Sequence, residues 1–161
     1  MKRLILLLAG CLFLFSCSLS TSSTQENTQN ADLLIVMERS GCFGTCPIYN
    51  LTIHADGNVE YEGVDFVTIK GKQDASINSE QIKELVKSIN DADFFSLEDK
   101  YYAQVTDMPS ITLSITLNGR SKSVWHYGPL DCFSFGENAP QKLCDLENKI
   151  DKVVNSEQWI K

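Results

Sequence analysis

A chain of 161 residues, 43% of them hydrophobic, holds one domain's worth of core once its ends are set aside. Its 21 acidic side chains outnumber 14 basic ones, and the formal charge of −7 argues against nucleic acid as a partner. No polybasic patch is present to help bind anionic lipid; the acidity favours solubility first and cationic partners only weakly.

Met1, Lys2 and Arg3 give a basic start, and Leu4 to Phe15 follow as an almost wholly apolar run. That run suits an export signal and is too short to span a bilayer. Two cysteines offer themselves for acylation, Cys17 after Leu14-Phe15-Ser16 and Cys11 after Leu8-Ala9-Gly10. Cys11 has the better local sequence, but Cys17 leaves a full-length apolar core and is followed at once by a polar tether, which favours it. An ordinary secretory peptide cut near Ser20 is the plainer alternative. Residues 1–16 are thus read as a signal peptide, 17–31 as the lipidated cysteine with a disordered Ser/Thr/Gln/Asn tether, and 32–161 as a single α+β domain. Loss of Lys2 and Arg3 with no acidic residue takes the net charge of the mature chain from −7 to −9. Since one acyl group anchors marginally, stable attachment implies several. The expected location is the bacterial cell envelope, lipid-anchored at the outer membrane.

Leu33 to Met37 is a short apolar run, read as a strand buried on both faces. Arg39-Ser40-Gly41-Cys42-Phe43-Gly44-Thr45-Cys46-Pro47 is a tight non-helical loop, its glycines permissive and Pro47 holding Cys46 extended. Ile48 to Ile53 is a β-branched strand, Ala55-Asp56-Gly57-Asn58 a hairpin turn, and Val59 to Gly63 an alternating strand. Val64 to Lys72 reads as a fourth strand, completing an antiparallel meander. The period then changes: Ile82, Leu85, Val86 and Ile89 mark a helix over about Ser79 to Asn90, with Asn78 as N-cap, Gln81 closing a capping box, and Ile77 and Ile82 as a staple. Phe94 and Phe95 read as a core plug. Tyr101 to Pro109 is irregular. Ile111 to Leu117 and Ser121 to Tyr127 form a hairpin about Asn118-Gly119. Leu143, Leu146, Ile150 and Val153 mark a C-terminal helix beginning near Ala139-Pro140. Fold class is therefore α+β, with a meander of about four strands, a helix, a β-hairpin and a final helix, the helices on one face of the sheet.

Four cysteines lie in the domain, Cys42, Cys46, Cys132 and Cys144, and sequence alone does not choose among their three pairings. Proximity and an exported chain favour two structural disulfides, Cys42 with Cys46 and Cys132 with Cys144. A four-thiolate zinc site needs the same residues at unusual gaps, and thioredoxin-type redox chemistry prefers two intervening residues on a helix N-terminus. His126, His54, Asp107 and Ser40 or a thiol can be written as a hydrolytic set, supported only by residue type. His126 is expected opposite its aromatic neighbours Trp125 and Tyr127, solvent-facing or partly buried, and His54 exposed at a strand end. The acidic residues Asp91, Asp93, Glu98, Asp99 and Asp107 do not match a calcium loop and read as a solvated rim. No catalytic residue, metal ligand or cofactor is assigned.

Ser40-Gly41-Cys42-Phe43-Gly44-Thr45-Cys46-Pro47-Ile48-Tyr49, the Asp56-Gly57 turn before Val59-x-Tyr61-x-Gly63, Ala92 to Leu97, Thr106-Asp107-x-Pro109, and Leu146-Glu147-x-x-Ile150-Asp151 together resemble an uncharacterised bacterial domain of unknown function, often carried on predicted lipoproteins. The resemblance covers about Leu33 to Asp151. It implies a shared fold and a role for Cys42, Cys46 and Asp107, and supplies no activity or substrate. Asp131 to Asn138 looks like an insertion against that pattern, and Cys144 lies outside its signature.

The functional expectation is a binding module with an unknown protein or small-molecule partner. Its recognition surface is placed at Phe43, Tyr49, Asp107 and Pro109 on and beside the cysteine loop. The alternatives are a thiol- or histidine-dependent envelope enzyme, which needs a reduced cysteine beside His126 or His54 in a cleft, and an inhibitor of an envelope hydrolase. An exposed Phe43 would favour contact with a partner; a buried one would make the loop structural.

Overall fold

The computed structural model describes residues 31–128 and 139–161. The expected acylation sites Cys17 and Cys11, most of the tether, and Cys132 lie outside the described residues.

Seven strands form one mixed sheet. They are β1 (Leu34–Arg39), β2 (Ile48–His54), β3 (Asn58–Asp65), β4 (Gly71–Ser76), β5 (Lys100–Tyr102), β6 (Ser110–Leu117) and β7 (Arg120–Tyr127). Their order is β4-β3-β2-β1-β6-β7-β5, antiparallel throughout except for β5 beside β7. Helices α1 (Ser79–Asp91), α2 (Gln141–Val154) and the short α3 (Glu157–Ile160) complete the α+β domain. No described helix is long and apolar enough to cross a membrane.

Side chains alternate along a strand, so each strand buries every second residue. Ile35 and Met37 of β1, Leu51 and Ile53 of β2, Val59 and Tyr61 of β3, and Leu113, Ile115 and Leu117 of β6 share one core with Ile82, Leu85 and Ile89 of α1 and Leu143, Leu146 and Ile150 of α2. The intervening residues of β1 show why the expectation of a strand buried on both faces fails: Leu34 and Val36 are half-buried. The strand sits centrally in the sheet, but the core covers only the face that carries Ile35 and Met37.

Local chemistry sets the element ends. Asn78 accepts from the Gln81 backbone N–H, and the Gln81 side chain accepts from the Asn78 N–H, the reciprocal cap expected from their spacing. Asn118 and Gly119 take φ of 54° and 70°, as a two-residue hairpin turn between β6 and β7 requires. The Asp32 carboxylate accepts the N–H groups of both turn residues, and these two bonds hold it below its ordinary carboxylate range.

The fourth strand lies later than its apolar pattern suggests. β3 runs on through Val64 to Asp65, the chain breaks at Phe66 with φ of 52°, and β4 begins only at Gly71. The segment Gly71–Ser76 is a polar, largely exposed edge strand with no hydrophobic alternation to reveal it. Val67 and Ile69, which suggested a strand, are partly buried against the core. The Ile69 N–H donates to the Trp159 carbonyl at 2.9 Å, and Trp159 stacks on Tyr61 with ring centroids 4.6 Å apart. These contacts seat α3, which the sequence reading lacked. β5 was also missed, because three residues of Lys-Tyr-Tyr carry too little periodicity to show.

Gly63 explains its place in the Tyr61-x-Gly63 pattern. A Cβ there would lie 2.1 Å from the Ile69 carbonyl oxygen and 2.7 Å from the Tyr61 hydroxyl. Those two atoms are themselves hydrogen-bonded at 3.2 Å, so the glycine makes room for the loop to fold back over β3. Gly63→Ala is expected to lower unfolding free energy by about 2 kcal/mol, the usual scale of overpacking, as measured by urea denaturation. An unchanged midpoint would show that the loop yields freely.

Candidate functional site

At the cysteine-loop end of the sheet the inward-facing row turns polar. Register pairs Tyr49 of β2 with Arg39 of β1, Arg39 with Ile111 of β6, and Ile111 with His126 of β7, so the four form a line across the sheet. Above it α2 carries Glu147 and Asp151, one turn apart on its buried side. Asp151 answers Arg39 and Glu147 answers His126.

The Asp151 carboxylate is fully engaged. Its Oδ2 accepts from Arg39 Nη2 at 2.6 Å, and its Oδ1 accepts from the Tyr49 hydroxyl at 2.7 Å and the Ser156 hydroxyl at 2.8 Å. Arg39 is 7% exposed, and its guanidinium carbon lies 5.9 Å from the Tyr49 ring centroid. Burial works against the charge on Arg39, but the fields of Asp151, Tyr49 and Glu147 outweigh it and hold the group more basic than usual. Only Nη2 is engaged: Nε and Nη1 are buried without a hydrogen-bond partner among the described residues. Two unpartnered donors on a buried cation are uncommon in a folded protein.

Beside this pair opens a cleft of about 620 Å³, within the range of small-molecule sites. Arg39, Tyr49 and Asp151 lie at its polar base. Cys46, Pro47 and Pro109 supply apolar lining, while Asn148 and Lys152, four residues apart on α2, and Asn155, the left-handed residue that caps the helix, also line the cleft. The last residues, Ile160 and Lys161, also line it.

The cysteine loop borders the cleft and is held from several sides. Cys42 and Cys46 are disulfide-bonded with Cα atoms 5.6 Å apart. The Phe43 N–H donates to the Asp107 carbonyl at 3.0 Å, and the Ser40 N–H to the Ser110 carbonyl at 2.9 Å. Phe43 itself projects into solvent, 88% exposed.

The residues expected as one recognition surface thus fall into different roles. Phe43 is exposed and Pro109 half-buried in the cleft wall. Asp107, at φ 68°, is exposed and fixes the loop through its carbonyl, while its carboxylate accepts from the Thr106 hydroxyl. Tyr49 is only 2% exposed; its inward position on β2 makes it part of the base and not a surface group. His126 is likewise wholly buried, where a solvent-facing or partly buried side chain was expected, with Nδ1 3.1 Å from Glu147 Oε2. His54 lies on the other parity of its strand from the core residues and pairs with Glu60 at 3.1 Å. Cys144, also buried, is disulfide-bonded; Cys132, its expected partner, is outside the described residues. Potential ligand atoms of His126, Cys144 and Glu147 lie within 4.8 Å of one another, but a disulfide sulfur is not the thiolate that a metal or nucleophilic site uses.

A family model described as a domain of unknown function, DUF6438, matches residues 33–154. The chain belongs to that family. Comparison with curated proteins finds no match. The matched span of the DUF6438 domain takes in the cysteine loop, Arg39, Tyr49, Glu147 and Asp151, and stops before α3, which lines one end of the cleft.

The sequence held a signal for the residues missed. Arg39 continues the inward positions Ile35 and Met37 of β1 at a spacing of two. Glu147 and Asp151 flank the apolar stripe of α2 at i and i+4. A charge at each of these inward positions was the mark of a buried pair.

Burial pushes the Tyr49 phenol well above its ordinary value of 10.0; Arg39 opposes this and Asp151 reinforces it. The unfolded chain ionises at the ordinary value while the folded one does not, so the Tyr49 contribution is complete below pH 10 and lost as pH rises beyond it. Tyr61, also raised by burial, adds to the same decline. Urea unfolding between pH 10 and 11.5 should show stability of Tyr49→Phe falling less steeply than wild type, by up to about 1.4 kcal/mol per pH unit. Parallel slopes would mean that the phenol titrates normally in the fold.

Proposed function

We propose that this DUF6438 domain is a non-catalytic binding module, displayed from the bacterial envelope on a lipid anchor at Cys17 at the outer membrane. In this reading the helices cover one face of the sheet, and recognition occurs at one end, where the disulfide loop meets the cleft. The partner is a protein or a small molecule.

The observation that carries the reading is Phe43: a large apolar side chain, 88% exposed, at the tip of a loop closed by a disulfide and tied to Asp107. Isolated exposed hydrophobics are ordinary on protein surfaces. This one is held on a clamped turn beside a concave site, so little conformational freedom remains to be lost when a partner covers it. The thiol-enzyme alternative requires a reduced cysteine beside a histidine in a cleft. Cys144 is the cysteine beside His126, and both are buried, with Cys144 disulfide-bonded.

Capture from an envelope extract by the full chain, followed by titration of the captured partner, tests the proposal. Phe43→Ala should weaken binding by about 2 kcal/mol, on the scale of an interface anchor, with the urea midpoint unchanged. The paired change Cys42→Ser with Cys46→Ser should lower stability by about 2 kcal/mol, the chain-entropy contribution of so short a loop, and weaken binding further. Full affinity in both variants would remove the loop from the recognition surface.

A further inference from the structure

The charge left unengaged in the cleft lining is positive. At its base Arg39 has two buried nitrogens without partners, whereas both oxygens of Asp151 are already engaged. Asn148 and Lys152 of α2 and the capping Asn155 line the cleft, and their side chains make no hydrogen bond or ion pair among the described residues. The Lys161 ammonium at the far end is matched by Glu157, so Lys152 is the uncommitted cation of the lining among the described residues. An ammonium and a guanidinium donate only, whereas an amide side chain donates twice and also accepts through its oxygen. Cys46, Pro47 and Pro109 add apolar surface to the same lining.

A ligand that satisfies this cleft brings both acceptor oxygens and an apolar group. It carries one negative charge at the rim, where Lys152 stands free. A second charge at the base is unfavourable, because Asp151 and Glu147 already surround Arg39 with negative charge. A neutral carbonyl oxygen suits the base, and a carboxylate suits the rim.

Resting on the binding-module reading, we infer that the cleft takes the carboxyl-terminal end of a peptide, or a comparable amide-bearing acid. Its carboxylate meets Lys152 between the Asn148 and Asn155 amides, an apolar side group lies against Pro47 and Pro109, and an amide carbonyl takes up the unpartnered N–H groups of Arg39, which are shielded in the free protein and are reached by a small shift of that side chain. Peptides and phosphate-bearing ligands both answer to cations, but a phosphate dianion concentrates the charge that Asp151 and Glu147 oppose and offers nothing to the proline wall.

The test is a titration of the isotope-labelled full chain, followed by nuclear magnetic resonance of the Asn148 and Asn155 side-chain amides and the Arg39 Nε–H. The probes are acetyl-Leu-Ala with a free carboxylate, the same dipeptide with a carboxyl-terminal amide, and inorganic phosphate. The acid should shift all three signals saturably, and the amide should bind about tenfold more weakly for want of one charge-assisted contact. Lys152 is exposed, and Lys152→Ala should remove the difference between acid and amide without disturbing the fold. Equal binding of acid and amide, displacement of the acid by comparable phosphate, or no shift with any probe would overturn this ligand class. The binding-module reading is judged separately, by the Phe43 titration against a captured partner.

Discussion

The buried pair of Arg39 and Asp151 is the constraint on which this end of the molecule depends. A guanidinium placed on an inward position of a central strand cannot be left alone in an apolar interior. Asp151 on α2 supplies the partner, and the same carboxylate also engages the hydroxyls of Tyr49 and Ser156. One group thereby ties two strands, the last turn of α2 and the entry to α3 to a common point. Such a pair adds less net stability than its Coulombic attraction suggests, because both charges were stripped of water. Its stronger effect here is on register, since a slip of β1 by one residue would carry Arg39 to the other face.

This constraint also shapes the cleft. Because α2 is anchored through Asp151, Asn148 and Lys152 of the helix and the capping Asn155 are brought into the lining of the opening. Because β1 is fixed in register, the loop leaving it at Ser40 returns through Cys46 and Pro47 into the same lining. The disulfide and the Phe43–Asp107 backbone bond then remove most of the freedom of that loop. The polar base, the donor-bearing helix wall and the rigid loop are consequences of one folded arrangement, and Phe43 is displayed by it without contributing to the core.

Much of this architecture was legible in the sequence, where signals were local and strong. The Asn78–Gln81 capping box, the Asn118-Gly119 turn and the apolar stripe of α2 each rest on a few neighbouring residues, and each forms as its spacing dictates. The edge strand Gly71–Ser76 was misplaced because its pairing to β3 uses backbone groups while its side chains remain polar and exposed. β5 and α3 escaped notice because they are three and four residues long and are fixed by partners distant in sequence. The site was half legible. Cysteine spacing located the loop and its disulfide, but Tyr49 was read as surface, and Arg39, Glu147 and Asp151 were not read as a buried network. Periodicity counts hydrophobic residues and passes over a charge at an inward position, although that charge marks where the core has been interrupted.

The measurement that tests this account most directly is a double-mutant cycle on the pair, with Arg39→Met, Asp151→Leu and the combined variant compared by urea unfolding. Each single change should cost about 3–5 kcal/mol, because it strands a buried charge or its hydrogen-bonding partners. The combined variant should be more stable than the sum of the two losses implies, by about 2 kcal/mol. Strict additivity, or single losses within about 0.5 kcal/mol of wild type, would mean that the pair is an incidental contact and that the helix and the cleft are held by something else.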